Sequence, residues 1–366
     1  MPNRVAFLLP NLAGGGTERL TIDLLAAFVA RGYAVDLLLL RQTGDFVTLV
    51  PPGVRVIDFQ VDKLRQAFGP LRRYCRDERP AALLAALWPL TVIAIAAVIG
   101  LRPRPRVVVS DHCALEMQYG ARKSSLALLK MTILASYRWA DAVVGVSDGV
   151  SDTLARLGWL DRARVTTIIN PVVSPLRSAR DPEALWPPRP ARRILSVGRL
   201  TAQKNQRLLV ESFARLIAQG VDAVLAIVGQ GELRGELEAQ VARLGLQDRV
   251  LLPGFDSAPG DWYAGADLFV LSSDYEGLGN VLIEAMHHGL SVVTTDCPSG
   301  PAEVVGGGRW GALVPPHDPV AMAQAMREAL DLPASPDSQR ARAAKFTVAA
   351  AVDAYAQLLL PGASAT

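Results

Sequence analysis

Two glutamates, Glu276 and Glu284, stand with seven residues between them in the stretch Ser272-Ser-Asp-Tyr-Glu-Gly-Leu-Gly-Asn-Val-Leu-Ile-Glu-Ala-Met-His-His-Gly289. Just ahead, Asp267-Leu-Phe-Val-Leu271 reads as a short buried strand. Beyond Gly279 the apolar Val281, Leu282, Ala285 and Met286 recur at helical spacing. The pattern predicts strand, tight loop, helix. Such a loop brings Gly277, Leu278, Gly279 and Asn280 to the first turn of the helix, where backbone N–H groups and the positive dipole end suit an anion or a ring of sugar hydroxyls. At roughly 100° per residue, Glu284 returns about two turns later near the face of Glu276. Two carboxylates facing one cleft would hold the two ends of a single polar ligand. The spacing also fits two surface glutamates around an ordinary helix start.

A second group with chemical potential is cationic. Ser196-Val-Gly-Arg-Leu-Thr-Ala-Gln-Lys-Asn205 ends one strand and opens the next helix with Arg199 and Lys204. Cations fixed beside a departing nucleoside diphosphate lower the barrier as negative charge develops on it. Arginine offers a fork for two oxygens and lysine a point charge. Two solvated surface cations would look the same in sequence. His112, one of four histidines, follows the apolar Val107-Val-Val and reads as a polar contact or proton handler at a strand's carboxyl end.

Glycine marks two further loops, Asn11-Leu-Ala-Gly-Gly-Gly-Thr-Glu18 and Gly229-Gln-Gly-Glu-Leu-Arg234. Glycines let backbone approach a ligand closely. Both loops depart from G-x-G-x-x-G, since Arg19 and Arg234 occupy the place of the last glycine, and an ordinary tight turn fits each equally well. The sequence has no D-x-D, H-E-x-x-H or C-x-x-C, so no ligand set for a divalent metal is visible and none is expected. The Walker lysine loop is also absent, which removes a P-loop kinase reading.

The elements that must carry these loops alternate. Strand-like Arg4–Leu9, Val35–Leu40, Val54–Phe59, Ala81–Leu87, Val107–Ser110, Ala142–Val146 and Val165–Ile169 are interleaved with helical Glu18–Ala30, Lys63–Arg76, Thr91–Ile99, Leu126–Arg138 and Asp148–Leu157. This rhythm predicts a doubly wound parallel sheet. Proline-rich sequence interrupts it, and a second series of the same kind runs from Ile194 to Leu330. The expected division is a first domain over 1–170, a linker over 171–192, a second domain over 193–346, and a last helix within 347–366 that returns to the first domain. The stretch Pro333–Arg342 reads as a polar connection. Two such domains would leave a cleft at the carboxyl ends of both sheets.

Composition fits this plan. The chain has 366 residues, half of them hydrophobic and a fifth charged, enough for two cores and against extended disorder. Its three cysteines, Cys75, Cys113 and Cys297, are scattered, which suits a reducing compartment and points to the cytoplasm. The first ten residues read as a strand rather than a signal peptide. Ala81–Leu101 is uncharged for 21 residues, but Trp88-Pro89 interrupts it, so a buried strand followed by a core helix is expected in place of a membrane span. The net charge of +3 divides into +9 over residues 1–180 and −6 over the remainder. A basic first half would attract phosphates, anionic lipid or nucleic acid.

Taken together, the glycine loop Asn11–Glu18, the basic segment Ser196–Asn205, the Val228–Leu233 loop and the E-x7-E stretch occur in the order found in the retaining GT-B glycosyltransferases of family 4, which the chain resembles over essentially its whole length. Gly14-Gly-Gly-Thr-Glu-Arg19 and Thr295-Asp-Cys-Pro-Ser-Gly-Pro301 look most like the branch acting on polyprenyl-diphosphate-linked glycans and exopolysaccharides. The resemblance implies an α/β GT-B fold of two Rossmann-like domains facing across a cleft. It implies transfer of a hexose or N-acetylhexosamine from a nucleotide-diphosphate sugar, UDP above others, to a lipid-linked oligosaccharide or polysaccharide. Neither cofactor nor metal is expected, and the anomeric configuration is expected to be retained.

By position, the resemblance assigns the donor's diphosphate to Arg199 and Lys204, with Gly15 and Gly16 closing over it from the first domain. Glu276 would contact the transferred sugar at the reacting centre, and Gly277, Leu278, Gly279 and Asn280 would hold sugar and phosphate oxygens. Glu284 would accept from the ribose, His112 would lie near the sugar, and Glu232 near the nucleoside. The first domain would hold the acceptor, with no role for nucleic acid. A lipid-linked acceptor would bring it to the inner face of the plasma membrane. There Lys123, Lys130 and Arg138 flank apolar Leu126, Leu128, Leu129, Met131 and Ile133 as an interfacial helix, or as a core helix with snorkelling ends. A nucleotide-sugar epimerase on the same fold is the alternative. A dinucleotide oxidoreductase using Gly229-Gln-Gly and a non-catalytic carbohydrate-binding protein complete the set.

Overall fold

The computed structural model of the chain describes residues 4–13, 15–120, 122–172, 180–187 and 192–361. It divides into two units, Met1–Pro171 with Thr347–Thr366, and Val172–Phe346.

The first unit is built on β1 (Arg4–Leu9), β2 (Ala34–Leu39), β3 (Val54–Asp58), β4 (Ala82–Ala86), β5 (Arg106–Asp111), β6 (Ala142–Gly145) and β7 (Val165–Thr167). They form one parallel sheet in the order β3-β2-β1-β4-β5-β6-β7. Its central strands are near-continuous aliphatic runs, as expected of strands covered on both faces; Ala82–Ala86 is buried throughout. The helix Val348–Leu359 belongs to this unit. Its Val352, Tyr355 and Leu359 join Leu20, Leu24 and Phe28 of the helix Gly16–Ala30 in one hydrophobic core. Arg31 pairs with Asp353 at 2.7 Å, and Arg106 donates to the carbonyl of Leu358.

One buried carboxylate locks the sheet's edge. Asp36 on β2 accepts from Arg4 at 2.9 Å, Arg55 at 2.6 Å and the Tyr74 hydroxyl at 2.6 Å. Burial works to raise its pKa, but Arg55, Tyr74 and Arg4 together hold it below the ordinary carboxylate value.

The second unit is built on β8 (Arg192–Val197), β9 (Ala223–Val228), β10 (Val250–Gly254), β11 (Leu268–Leu271), β12 (Ser291–Thr295) and β13 (Ala312–Val314). They are parallel in the order β10-β9-β8-β11-β12-β13. The proline-rich 171–192 stretch lies partly outside the described residues. Its described part is bound to this unit: Trp186 packs edge-to-face on Trp262 at 5.4 Å, and the buried Arg193 reaches Glu183 at 2.8 Å.

The strand order reverses direction between β1 and β4 in one sheet and between β8 and β11 in the other. Loops leaving the carboxyl ends of those strands flank a crevice, the place where open α/β sheets take ligands.

As expected, the uncharged 81–101 run resolves into β4 and a nine-residue helix, Leu90–Val98, and among the described residues no helix is long and apolar enough to cross a membrane. Other expectations are corrected. Pro333–Arg342 is not merely a connection, because Ser335 caps a helix, Pro336–Ala343, with Pro336 at its first turn. The short helix Gly260–Gly265 has no apolar periodicity to announce it. In the helix Lys123–Ser136, Leu129 and Ile133 face the core, which corrects their assignment to an interfacial face.

Candidate functional site

In the second unit, the loops after β8, β11 and β12 converge at the crossover. The loop after β8 runs through Gly198 and Arg199 to a 3-10 turn, Ala202–Lys204, and then to Asn205 in the left-handed region at φ 43°. Asn205 caps the next helix, Gln206–Ala218, by accepting from the Leu208 N–H at 3.3 Å. Its amide donates the other way, to Asp274 at 2.7 Å.

That donation is one of several stitches to the loop after β11. Asp274 N–H donates to the Gln203 carbonyl at 2.8 Å, Gln203 Nε2 to the Tyr275 carbonyl at 3.0 Å, and Ser272 Oγ to the Lys204 carbonyl at 2.9 Å. The stitches bring two charged side chains together: Lys204 Nζ lies 2.5 Å from Glu276 Oε1. Ser273 Oγ donates to the same carboxylate oxygen at 2.6 Å. Glu276 is only 6% exposed, so its charge is held by these donors rather than by water.

The third loop supports the second from behind. Thr295 Oγ1 donates to the Ser273 carbonyl at 2.5 Å and Glu276 N–H to that of Pro298 at 3.4 Å. Gly300, at φ 61°, comes so close that a Cβ there would lie 2.3 Å from Leu278 Cα and 2.6 Å from the Gly277 carbonyl oxygen. Cys297 in this loop is buried, and burial followed by the Glu276 charge pushes its thiol up to about 12, leaving it inert.

Gly277, Leu278 and Gly279 enter the helix Asn280–His287 at its positive end, with Gly279 at φ 88° as its N-cap. Glu284 lies one turn into that helix and accepts from the fully buried Tyr263 hydroxyl at 2.8 Å. Burial first, then the Glu284 charge, raises the Tyr263 pKa well above 10, so the phenol stays a donor. Tyr263 in turn stacks on Phe269 and His288 at 5.6 and 5.5 Å.

The Gly229-Gln-Gly231 loop packs on the first loop. A Cβ on Gly229 would come within 2.0 Å of the Gly198 carbonyl oxygen, and one on Gly231 within 2.2 Å of that of Leu200. These glycines serve backbone contact, the plainer of the two readings of the motif. Glu232 beyond them is exposed, as is Arg199, which has no carboxylate within ion-pair distance among the described residues.

The remaining predicted residues belong to the first unit. Gly15 is the N-cap of the helix Gly16–Ala30, and Gly14 lies outside the described residues. His112 follows β5, with Nε2 3.0 Å from Ser110 Oγ, which is 3.1 Å from the Tyr355 hydroxyl. Burial pushes its imidazole down to about 4 against a smaller upward pull from Asn170, so the ring is neutral at pH 7. Its neighbour Asp111 accepts from Tyr137 at 2.5 Å and from the Trp88 N–H at 3.1 Å, and burial pushes it up to about 6.

Lys204, Glu276, Gly277, Leu278 and Gly279 are therefore brought into one cluster, with Glu284 on the adjoining helix. Sequence reasoning missed Ser273, Asn205, Asp274, Gly300 and Tyr263. Asn205 adjoins Lys204, and its polar side chain at a helix start is a capping signal; nothing local marks Tyr263.

Comparison with known proteins agrees with this architecture. Residues 14–174 match the Glycosyltransferase Family 4 model and residues 191–331 the Glycosyl transferases group 1 model. The chain is 32% identical to the lipopolysaccharide core biosynthesis glycosyltransferase LpsE of Rhizobium meliloti, over 94% of this chain and 96% of that one. It is 41% identical to the N-acetylgalactosamine-N,N'-diacetylbacillosaminyl-diphospho-undecaprenol 4-alpha-N-acetylgalactosaminyltransferase of Campylobacter jejuni, over 38% of this chain and 37% of that one. Among solved structures, Anabaena HepE in complex with UDP and glucose superposes with a TM-score of 0.81 at 21% identity, covering 97% of this chain and 99% of that one.

Proposed function

The chain belongs to glycosyltransferase family 4, and on that premise we propose that it moves a hexose or N-acetylhexosamine from a UDP-sugar to a lipid-linked oligosaccharide or polysaccharide, with retention of configuration and without a metal ion. Its two Rossmann-like units are those of the GT-B fold. The single observation that carries the reading is the Lys204–Glu276 pair, held by three cross-stitched loops at the crossover of the second sheet.

In this reading the second unit binds the donor. Lys204, with Arg199, meets the charge that grows on the departing diphosphate, and does so from a fixed position, which is where electrostatic catalysis gains most. Gly277, Leu278 and Gly279 add the positive end of the helix Asn280–His287. Glu276 orients the transferred sugar beside the same ammonium. Glu284, steadied by Tyr263, holds the ribose, and Glu232 flanks the nucleoside. His112, neutral at pH 7, offers the sugar a hydrogen bond rather than a charge. Support for UDP and for a polyprenyl-linked or lipopolysaccharide acceptor comes from the relatives and the HepE complex.

A lipid-linked acceptor suits the first unit's surface. Leu128, Met131 and Leu134 of the helix Lys123–Ser136 are 55%, 69% and 43% exposed, and Trp139 beyond it 58%. Lys123, Lys130 and Arg138 are exposed around them, and the helix contains no acidic residue. Such a face suits an anionic bilayer surface. Met131→Asp should reduce flotation with anionic vesicles and leave UDP binding intact; equal flotation refutes this contact.

The deciding experiment for the function is a thermal-shift screen of nucleotide sugars followed by transfer to an undecaprenyl-diphosphate-linked saccharide, with and without EDTA. Product formation that depends on the acceptor and survives chelation is expected. Conversion of the donor alone to an epimer, or loss of activity in EDTA, refutes the corresponding part.

A further inference from the structure

On the first unit, an open hollow of about 630 Å³ is lined by Lys63, Leu64, Arg65, Pro89 and Ile93. One wall is the 3-10 turn Leu64–Ala67 that follows β3, and the other is the start of the helix Leu90–Val98 that follows β4. The hollow thus lies past the carboxyl ends of parallel strands, the side of an α/β sheet where ligands bind. Its walls are braced, because Arg72 of the helix Phe68–Glu78 donates to the Ala97 and Ile99 carbonyls at 2.9 and 2.8 Å.

The lining is of two kinds. Lys63 and Arg65 are exposed, and neither has a carboxylate within ion-pair distance among the described residues. Their acidic neighbour Asp62 is engaged by Arg41 at 2.6 Å. The rest of the lining is hydrocarbon, from Leu64, Pro89 and Ile93, with Phe68 42% exposed nearby in sequence. Two cations without a carboxylate partner beside an apolar lining fit a molecule with an anionic head and an apolar body. A free nucleotide would require donors and acceptors for its base, which these apolar side chains do not supply.

We propose that this hollow binds the phosphate or diphosphate head and the first apolar units of the acceptor's lipid, with Lys63 and Arg65 on the head and Leu64, Pro89 and Ile93 against the chain. The proposal rests on the acceptor reading above. It deepens that reading by naming the subsite, which lies against a helix that also packs on the basic and apolar helix Lys123–Ser136.

Farnesyl diphosphate and inorganic pyrophosphate, titrated calorimetrically into the full chain, test it. Farnesyl diphosphate should bind more tightly than pyrophosphate. Lys63→Ala combined with Arg65→Ala should weaken both by roughly tenfold, and Ile93→Ser should weaken farnesyl diphosphate alone. All three positions are exposed or half-buried, and the thermal shift given by UDP-sugars reports that donor site and fold are intact. Unchanged farnesyl diphosphate affinity in the double variant overturns the proposal, as does pyrophosphate binding as tight as that of farnesyl diphosphate. If UDP-sugars give no shift while farnesyl diphosphate still depends on Lys63 and Arg65, the donor reading fails and the subsite stands.

Discussion

Lys204 Nζ and Glu276 Oε1, 72 residues apart in sequence, lie 2.5 Å apart in the fold, and each is the charge that the other is buried beside. Removing either leaves its partner without compensation in a poorly solvated place.

Lys204→Ala should therefore lower turnover by roughly a hundredfold to a thousandfold, the usual effect of deleting one fixed group that stabilises developing charge. Glu276→Gln keeps the shape and should slow the chemical step while donor affinity changes little. Single-turnover rates and donor calorimetry on folded protein check both; near-normal turnover in either variant counts against the assignment.

Tyr263→Phe deletes the hydroxyl that steadies Glu284 and leaves the ring's stacking in place. The donor KM should rise several-fold with kcat altered less than twofold, and Glu284→Ala should shift KM further in the same direction. A fall in kcat at constant KM would move Glu284 from donor binding to the chemical step.

Gly300→Ala places a methyl 2.3 Å from Leu278 Cα at a residue with φ 61°. Strain and displacement of the loop should cost about 1–3 kcal/mol, with activity falling in parallel. Gly235→Ala, in the helix Arg234–Arg243 where a Cβ meets nothing within 4 Å, should be neutral or slightly stabilising. Equal melting temperatures for the two variants would contradict the close packing of the third loop.

Asp111 and His112 pull stability in opposite directions with pH. Folded Asp111, at about 6 against an ordinary carboxyl value of 3.8, holds its proton more tightly than the unfolded chain; its contribution is complete below about pH 3.8 and lost as pH rises through 6. Folded His112, at about 4 against 6.5, resists a proton the unfolded chain accepts; its contribution is complete above 6.5 and lost as pH falls through 4. Asp111→Asn leaves only the histidine effect, so stability should fall more steeply with acid between pH 6.5 and 4 than in the unsubstituted chain, by up to roughly 1.4 kcal/mol per pH unit. Denaturant titrations across that range give the slope, and parallel profiles would contradict the opposition.

The alternation of apolar runs made both parallel sheets legible, because strands covered on two faces leave continuous aliphatic sequence and crossovers leave helical periodicity between them. The loop from Ser272 to Gly279 was legible for the same reason, being bounded by β11 and a helix with a clear apolar stripe. Partnership was not. Glu276 and Glu284 looked like a matched pair on one face, yet their described partners are Lys204 with Ser273 and Tyr263, respectively. Contacts across a crossover depend on strand order, which local periodicity does not encode. Gly300 and Tyr263 were invisible because a glycine's near neighbour and a phenol's acceptor are set by packing between segments.

The return of the helix Val348–Leu359 to the first unit sets an order of assembly during synthesis. Residues 172–346 form a unit continuous in sequence, able to close its core without the last helix. The first unit begins earlier and finishes later, since Val352, Tyr355 and Leu359 fill a core whose other side was made more than three hundred residues before. Until they arrive, Leu20, Leu24 and Phe28 lack that covering, which leaves apolar surface of the first unit open to aggregation.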